Sequence, residues 1–231
     1  MPSGRFSSKA GAGLTSFAHS KLTALQREVL EAFFQRERDF FLTGGAALAG
    51  FHLGHRTTDD LDLFTAQPLA FERGRFILAD VAAALGGALQ VRQDAPGFKR
   101  LVLTRGDEGV VVDIVNDTGP QLHPDKLERD NIVIDPADEI LANKLTALVG
   151  RAEERDLIDV LFLERAGYSI EAALSAALVK DGGCTPATLA WLLSEITIPD
   201  GVVLPASVSP AELRAYVAEL TARFLVLARP V

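Results

Sequence analysis

Cysteine is nearly absent from this chain of 231 residues, in which Cys184 is the single thiol. A lone cysteine excludes an internal disulfide and a zinc site built from cysteines. It favours a reducing compartment, so we predict a cytoplasmic protein and a structural role for Cys184. No apolar run approaches the roughly 20 residues of a membrane-spanning helix, which predicts no membrane partner. The first twenty residues lack the apolar centre of a signal peptide, and we predict a flexible arm over residues 1–20.

Basic residues are outnumbered, since 23 Lys and Arg face 31 Asp and Glu and give a formal net charge of −8. Proteins that coat nucleic acid through many phosphate contacts are usually basic, so the charge argues against that class. Local clusters of Lys and Arg at residues 99–105 and 144–155 still permit a basic groove. A hydrophobic content of 48% in a chain of this length predicts a globular protein with a sizeable core.

Several common catalytic motifs are also missing. The sequence has no Gly-x-Ser-x-Gly, no Walker glycine loop and no Gly-x-Gly-x-x-Gly. The four histidines show no metal-binding spacing, and we predict surface or capping roles for them. Any catalytic residues of this chain must therefore belong to a different motif.

The most informative stretch of the sequence is residues 41–64. An apolar segment runs into Gly44 and Gly45, and the chain returns as a strand that carries Asp60 and Asp62. Alternate residues of a strand share a face, so these two acids project together. Paired carboxylates repel each other, and a bound Mg²⁺ removes that repulsion with phosphate oxygens completing its shell. The glycines ahead of a helix offer backbone N–H groups to an anion. We interpret the stretch as a metal and phosphate site, against the alternatives of a solvated acidic turn and a plain glycine turn.

A third acid, Asp113, lies within the β-branched run at residues 110–115. A carboxylate in a central strand is unfavourable unless something pairs with it. Asp113 is therefore a third metal-facing carboxylate, or alternatively a strand-end residue that caps a neighbouring loop.

A second cluster contains Lys144, Arg151, Arg155 and Asp159. On one continuous helix, steps of 7, 4 and 4 residues place these side chains in a narrow wedge. Such a stripe can neutralise a triphosphate. The alternative is a solvated helix face with ion pairs four residues apart.

The remaining pattern predicts an α+β fold, with a mixed sheet flanked by helices and followed by a helical C-terminal region. We divide the chain into the arm, a core over residues 21–134 and a helical region over residues 135–231. We predict strands at residues 40–43, 61–64, 89–92, 98–104, 110–115 and 131–134. We predict helix starts at Thr23, at Ser169, at Thr185 and Ser209 before prolines, and at Asp135 as the N-cap before Pro136.

Four segments carry a resemblance to a known family: residues 42–48 (LTGGAAL), 54–64 (GHRTTDDLDLF), 144–148 (KLTAL) and 155–159 (RDLID). They resemble the AbiEii/AbiGii-type nucleotidyltransferases, bacterial proteins of the DNA polymerase β-like superfamily that are often the toxin of a toxin–antitoxin pair. The resemblance covers roughly residues 22–167. It implies a nucleotidyltransferase-like sheet and an NTP as substrate.

The resemblance also implies residue roles. Asp60, Asp62 and Asp113 would bind one or two Mg²⁺ ions and, with Lys144, form the catalytic set. The nucleotide-binding residues would be Gly44, Gly45, Arg56, Lys144, Arg155, Asp156 and Asp159. Where the wider superfamily often has Gly-Ser, this chain has Gly44-Gly45, so backbone donors remain but a hydroxyl contact is lost.

We predict a Mg²⁺-dependent enzyme that moves NMP from NTP to a tRNA, another RNA or a protein, with Asp113 as a metal ligand or a general base. An antitoxin protein is the expected partner. The alternatives are a non-catalytic module that binds a nucleotide or a partner, and a nucleotidyltransferase that modifies a small antibiotic-type molecule.

Overall fold

A computed structural model describes residues 20–229 of the chain, so the predicted arm lies almost wholly outside the described residues. Its centre is a seven-stranded sheet in the order β3-β4-β5-β2-β1-β7-β6. The strands are β1 (Phe41–Thr43), β2 (Asp60–Thr65), β3 (Ala88–Ala95), β4 (Phe98–Arg105), β5 (Glu108–Asn116), β6 (Leu127–Arg129) and β7 (Ile132–Ile134). The pairs β2–β5 and β1–β7 are parallel and the other pairs are antiparallel, so the sheet is mixed as predicted.

Side-chain alternation determines which face of the sheet carries chemistry. In β2, Leu61 and Leu63 are fully buried, whereas Asp60 and Asp62 are partly exposed on the other face. The period of two that the sequence shows is thus present in the structure. In β5, Val112 and Ile114 are buried in the same core.

Eight helices surround and extend the sheet within the described part of the chain. They are α1 (Ala24–Phe34), α2 (Gly44–Ala47), α3 (Pro68–Ala84), α4 (Ala137–Gly150), α5 (Glu154–Arg165), α6 (Ile170–Lys180), α7 (Pro186–Ser194) and α8 (Pro210–Leu227). Helix α2 continues directly as a π-helical turn over Leu48–His52.

The predicted helix starts are confirmed at four positions. Thr23 and Gln26 form a reciprocal capping box at α1. Ser169, Thr185 and Ser209 each accept a backbone N–H at the start of their helices. Side chains that accept these N–H groups satisfy donors that a helix leaves unpaired.

The helices α4 to α8 form the helical C-terminal region, which confirms the α+β prediction. Among residues 20–229, no helix has the length and apolar character needed to cross a bilayer. The division of the chain at residue 135 stays a prediction.

Two local predictions were wrong. Asp135 does not cap α4, whose N-cap is Pro136. Instead, the Asp135 carboxylate accepts hydrogen bonds from Thr43 Oγ1 and Lys126 Nζ, both at 2.7 Å, because a buried acid needs partners.

The predicted wedge of Lys144, Arg151, Arg155 and Asp159 is also wrong, because it requires one continuous helix. Helix α4 ends at Gly150 and α5 begins at Glu154, and between them Ala152 has a φ of 44°. This left-handed residue turns the chain, so the narrow wedge of four side chains does not form.

Candidate active site

The candidate site begins as a row of polar residues across one face of the sheet. Thr43 of β1 pairs with Asp62 of β2, and Asp62 pairs with Asp113 of β5. Asp113 in turn pairs with Arg100 of β4. Directly paired residues project to the same side of a sheet. Register therefore brings together residues that are up to 70 positions apart in the sequence.

Three carboxylates converge at the centre of this row. Asp60, Asp62 and Asp113 each offer an oxygen, and these oxygens all lie within 4.8 Å of one another. Thr58 Oγ1 donates to Asp60 Oδ1 at 2.8 Å and so fixes that side chain. The structure thus places Asp60 and Asp62 side by side, as the strand prediction requires, and adds Asp113 to them.

The donor set suits a hard divalent cation. Among the described residues, Asp60 and Asp62 form no ion pair, whereas Asp113 pairs with Arg100. Three carboxylate oxygens at this separation repel one another, and a cation between them removes the repulsion. Oxygen ligands of this type are those that Mg²⁺ prefers. Asp60, Asp62 and Asp113 therefore fit a magnesium ion.

Asp62 shows the electrostatic consequence of this crowding. Burial raises the pKa of Asp62 to about 7, and the charge of Asp60 acts in the same direction while Lys144 opposes it. The folded protein therefore holds this proton more tightly than the unfolded chain does, so the ionised carboxylate destabilises the fold. The penalty is absent below a pH of about 4, grows between about 4 and 7, and is complete above about 7.

This electrostatic penalty predicts how Asp62→Asn changes stability. In EDTA at pH 8 we expect the variant to be more stable than the wild-type chain by about 2 kcal/mol, and at pH 4 we expect no gain. The full pKa shift of Asp62 would correspond to a larger gain in stability. We expect a smaller gain because the carboxylate is partly exposed to the pocket. Urea unfolding across this pH range measures the difference, with the exposed Asp80→Asn as the control. A gain that is the same at both pH values would contradict the assignment.

Gly44 makes room for Asp62. Its φ is +62°, and a Cβ built on it would lie 2.2 Å from Asp62 Oδ2. A side chain at this position would displace the carboxylate and would also strain the backbone. Gly45 lies behind it, where a Cβ would be 2.8 Å from Nη2 of Arg56.

We therefore expect Gly44→Ala to abolish the predicted nucleotide transfer and to lower the free energy of unfolding. Gly106→Ala is a matched control, because Gly106 has a φ of +58° with nothing within 4 Å of its built Cβ. In Gly106→Ala, the free energy of unfolding should fall only by the cost of the backbone strain. In Gly44→Ala, it should fall by about 2 kcal/mol more. Chemical denaturation of both variants checks this, and equal losses would show that the contact with Asp62 is unimportant.

A pocket of about 870 Å³ opens over the row of polar residues. Its polar lining includes Gly44, Asp62, Asp113, Arg100, Lys144 and Arg151. Asp62, Asp113 and Arg100 of the sheet thus face a common space with Lys144 and Arg151 of the helical side. The space is large enough for a small-molecule ligand.

Lys144 reaches the pocket from α4 and is held by two acids of α5. Its Nζ lies 2.8 Å from Asp156 Oδ1 and 2.7 Å from Asp159 Oδ2. Burial lowers the pKa of Lys144, but these two carboxylates raise it more, so the net direction is upward and the ammonium stays charged. Arg151, whose side chain is 54% exposed, donates to the other side of Asp156. Asp156 therefore aligns Lys144 and Arg151.

Asp159 is the centre of a fully buried network. It accepts two hydrogen bonds from Arg56, both at 2.7 Å, and lies 2.8 Å from His55 Nε2. Burial raises the pKa of Asp159, but the bonds from Arg56 and His55 and the charge of Lys144 hold that pKa well below its ordinary value. This network joins the loop before β2 to α4 and α5.

The structure thus separates the predicted nucleotide-binding residues into two groups. Gly44 and Lys144 line the pocket. Gly45, Arg56, Asp156 and Asp159 lie behind it, where the charged side chains contact one another. Arg155 belongs to neither group, because the break between α4 and α5 leaves it half-exposed and paired with Glu153.

Sequence reasoning missed two residues of this region. The sequence predicts a surface or capping role for His55, but its ring is buried against Asp159 and lies 4.8 Å from the ring of Phe162. The sequence places Arg100 in a basic cluster but does not indicate that it pairs with Asp113. In both cases the partner is distant in sequence, so no local pattern could reveal it.

Comparisons with known proteins show which family and which fold this chain resembles. A family model described as Nucleotidyl transferase AbiEii toxin, Type IV TA system, matches residues 28–228. JHP933 from Helicobacter pylori has a similar fold, with a TM-score of 0.54 and 19% identity over 88% of this chain and 92% of that one. A candidate nucleotidyltransferase from H. pylori gives a TM-score of 0.53 and 17% identity over 89% and 96% of the two chains. No curated protein matches the chain.

The family match confirms the resemblance carried by the four sequence segments, and the solved structures confirm the nucleotidyltransferase-like fold. The match spans far more than half of the chain, from α1 to α8. This chain therefore belongs to the AbiEii nucleotidyltransferase toxin family of type IV toxin–antitoxin systems.

Proposed function

We propose that this protein is a Mg²⁺-dependent enzyme that transfers a nucleoside monophosphate from an NTP to a hydroxyl group of an RNA or a protein, in the cytoplasm. The observation that carries the proposal is the convergence of oxygens of Asp60, Asp62 and Asp113 within 4.8 Å, next to a pocket that Asp62 and Asp113 line together with Gly44 and Lys144. Phosphoryl transfer depends on positioning and on stabilisation of charge, and this pocket offers both.

Each residue near the triad then has a distinct role. Asp60, Asp62 and Asp113 would hold the magnesium ion, which when bound neutralises phosphate charge. Gly44 lets the phosphate chain approach Asp62 because it has no side chain. The acceptor hydroxyl gives up its proton to solvent and its oxygen bonds to the α-phosphorus. The bond from that phosphorus to the β-phosphate oxygen breaks, and pyrophosphate leaves. Lys144 and Arg151 face the same pocket and offset the charge on that leaving group.

The residues behind the pocket support this chemistry without contacting the substrate. Asp156 and Asp159 hold Lys144 from two sides, and Arg56 packs between Asp159 and Gly45. We propose that these side chains position the glycine turn and the lysine relative to each other. Side chains fixed in this way need no reorganisation during the reaction.

The test is transfer of label from each of the four NTPs, labelled on the α-phosphate, with Mg²⁺ and a total cell extract. We expect label in the RNA or the protein fraction, and we expect EDTA to abolish it. Label on a small molecule would favour the antibiotic-type alternative. Calorimetric binding of NTP without any transfer would favour a non-catalytic module.

We also propose an antitoxin protein as the partner, on the strength of the family. Expression of this chain alone should slow bacterial growth, and co-expression of a gene adjacent to its own should restore growth. A chain that leaves growth unaffected while it transfers label would contradict the toxin role and leave the enzymatic role intact.

A further inference from the structure

Arg100 is the residue at the triad that the proposed reaction does not explain. It lies on β4 directly opposite Asp113. Its Nε donates to Asp113 Oδ1 at 2.8 Å, and its Nη2 donates to Oδ2 at 2.6 Å. One guanidinium therefore occupies both oxygens of the third carboxylate in the bidentate geometry that makes such pairs strong.

The two partners differ sharply in exposure. The Asp113 side chain is 7% exposed, whereas the Arg100 side chain is 47% exposed. Arg100 lines the pocket, with its guanidinium carbon 5.7 Å from the centre of the Phe98 ring, which lines the pocket too. The strand fixes the acid, but the long arginine side chain has open space into which it can turn.

The negative charge of the three carboxylates explains why the positively charged Arg100 lies beside them. Three carboxylates with oxygens within 4.8 Å of one another repel, and Arg100 offsets that repulsion from one side. An arginine guanidinium stays protonated throughout the ordinary pH range, so Arg100 is a permanent positive charge beside the site.

We propose that Arg100 is an internal counter-ion that occupies Asp113 until a divalent cation displaces it. The inference rests on the proposed function, because it takes the three carboxylates as the cation site. The cation needs one oxygen of Asp113, and Arg100 occupies both, so the bidentate pair lowers the affinity of the pocket for the cation. Arg100 is thus a positioning residue that controls when Asp113 becomes available.

The test is titration of Mn²⁺ into the full chain, followed by calorimetry and by the electron paramagnetic resonance signal of free Mn²⁺. We expect Arg100→Gln to bind Mn²⁺ about tenfold more tightly than the wild-type chain, which corresponds to about 1.4 kcal/mol. Arg100→Lys keeps the charge but cannot form the bidentate pair, and its affinity should lie between the two. If Arg100→Gln does not fold, the Arg100→Lys variant provides the test.

Arg75→Gln is the matched control. Arg75 is a similarly exposed arginine that pairs with a single carboxylate, Asp94, outside the pocket. Its replacement should leave the Mn²⁺ affinity unchanged, because the pair does not involve the triad. A tighter affinity in this variant would show that loss of any positive charge is sufficient, and would overturn the specific role of Arg100.

Thermal unfolding gives a second readout that a purely structural arginine would not produce. In EDTA, Arg100→Gln should unfold at a lower temperature than the wild-type chain because Asp113 loses its partner. Mn²⁺ should then raise the Tm of the variant by more than it raises that of the wild-type chain, since tighter binding stabilises more.

Unchanged or weaker Mn²⁺ binding by both Arg100 variants would overturn the inference. Failure of the proposed function looks different: neither the wild-type chain nor the variants bind Mn²⁺, or Asp62→Asn leaves the binding intact. The two failures are therefore distinguishable in the same set of titrations.

Discussion

Replacement of Asp62 or Asp60 by Asn should reduce the rate of nucleotide transfer by a factor of about 10³ or more, which corresponds to about 4 kcal/mol of transition-state stabilisation. Each substitution keeps the shape of the side chain and removes the charge that holds the cation. The two acids lie on one face of β2 and converge with Asp113. The measurement is the initial rate of label transfer from NTP at saturating Mg²⁺.

Asp80→Asn is the control for these two variants, because it removes one carboxylate from an exposed position on α3. It should transfer label at the wild-type rate. Circular dichroism should show that Asp60→Asn and Asp62→Asn remain folded, and Asp62→Asn should gain stability at pH 8. Full activity in either variant would refute the metal assignment.

Replacement of Asp159 by Asn should destabilise the protein by about 3–5 kcal/mol, the largest effect on stability that we expect from a single substitution. Asp159 is fully buried, and its two oxygens contact Arg56, His55 and Lys144. Removal of its charge leaves two buried cations with less compensation. Urea unfolding at pH 7 measures the change in the free energy of unfolding.

Glu153→Gln is the matched control, because Glu153 pairs with Arg155 at the surface through half-exposed side chains. Its effect should stay within about 0.5 kcal/mol. Because the pKa of Asp159 is lowered in the folded state, its contribution is present above a pH of about 4 and is lost as the pH falls further. The difference between Asp159→Asn and the wild-type chain should therefore shrink in acid. A loss below 1 kcal/mol at pH 7 would contradict the role of the network.

Local patterns in the sequence predicted much of the sheet and one part of the site. The alternation of Asp60-Leu61-Asp62-Leu63 shows which residues face the core, because a strand has a period of two. The helix starts at Thr23 and Ser209 were equally clear, since capping depends on residues three positions apart. These features need no knowledge of the rest of the chain.

Features that depend on tertiary contacts could not be predicted from local sequence patterns. Asp113 joins Asp62 because β2 and β5 pair in parallel, and that register is fixed by two strands about 50 residues apart. The same holds for Arg100, which reaches Asp113 through the hairpin of β4 and β5. Sequence reasoning could name Asp113 as a candidate, but its arginine partner required the structure.

The broken helix between α4 and α5 shows a different limit. Ala152 favours a helix by its intrinsic propensity, yet its φ here is 44°. The break lets Lys144 of α4 and Arg151 contact Asp156 of α5 together. These tertiary ion pairs outweigh a local preference of less than about 1 kcal/mol per residue.

The central claim is that Asp60, Asp62 and Asp113 bind a divalent cation beside the triphosphate of an NTP. The most direct test is a crystal of the protein soaked with MnCl₂ and a non-hydrolysable NTP, measured for the anomalous signal of manganese. We predict a peak between the three carboxylates, at metal–oxygen distances of about 2.0–2.3 Å, with the phosphates against Gly44 and Lys144. A manganese peak elsewhere, with the three acids still paired to protein groups alone, would contradict the account.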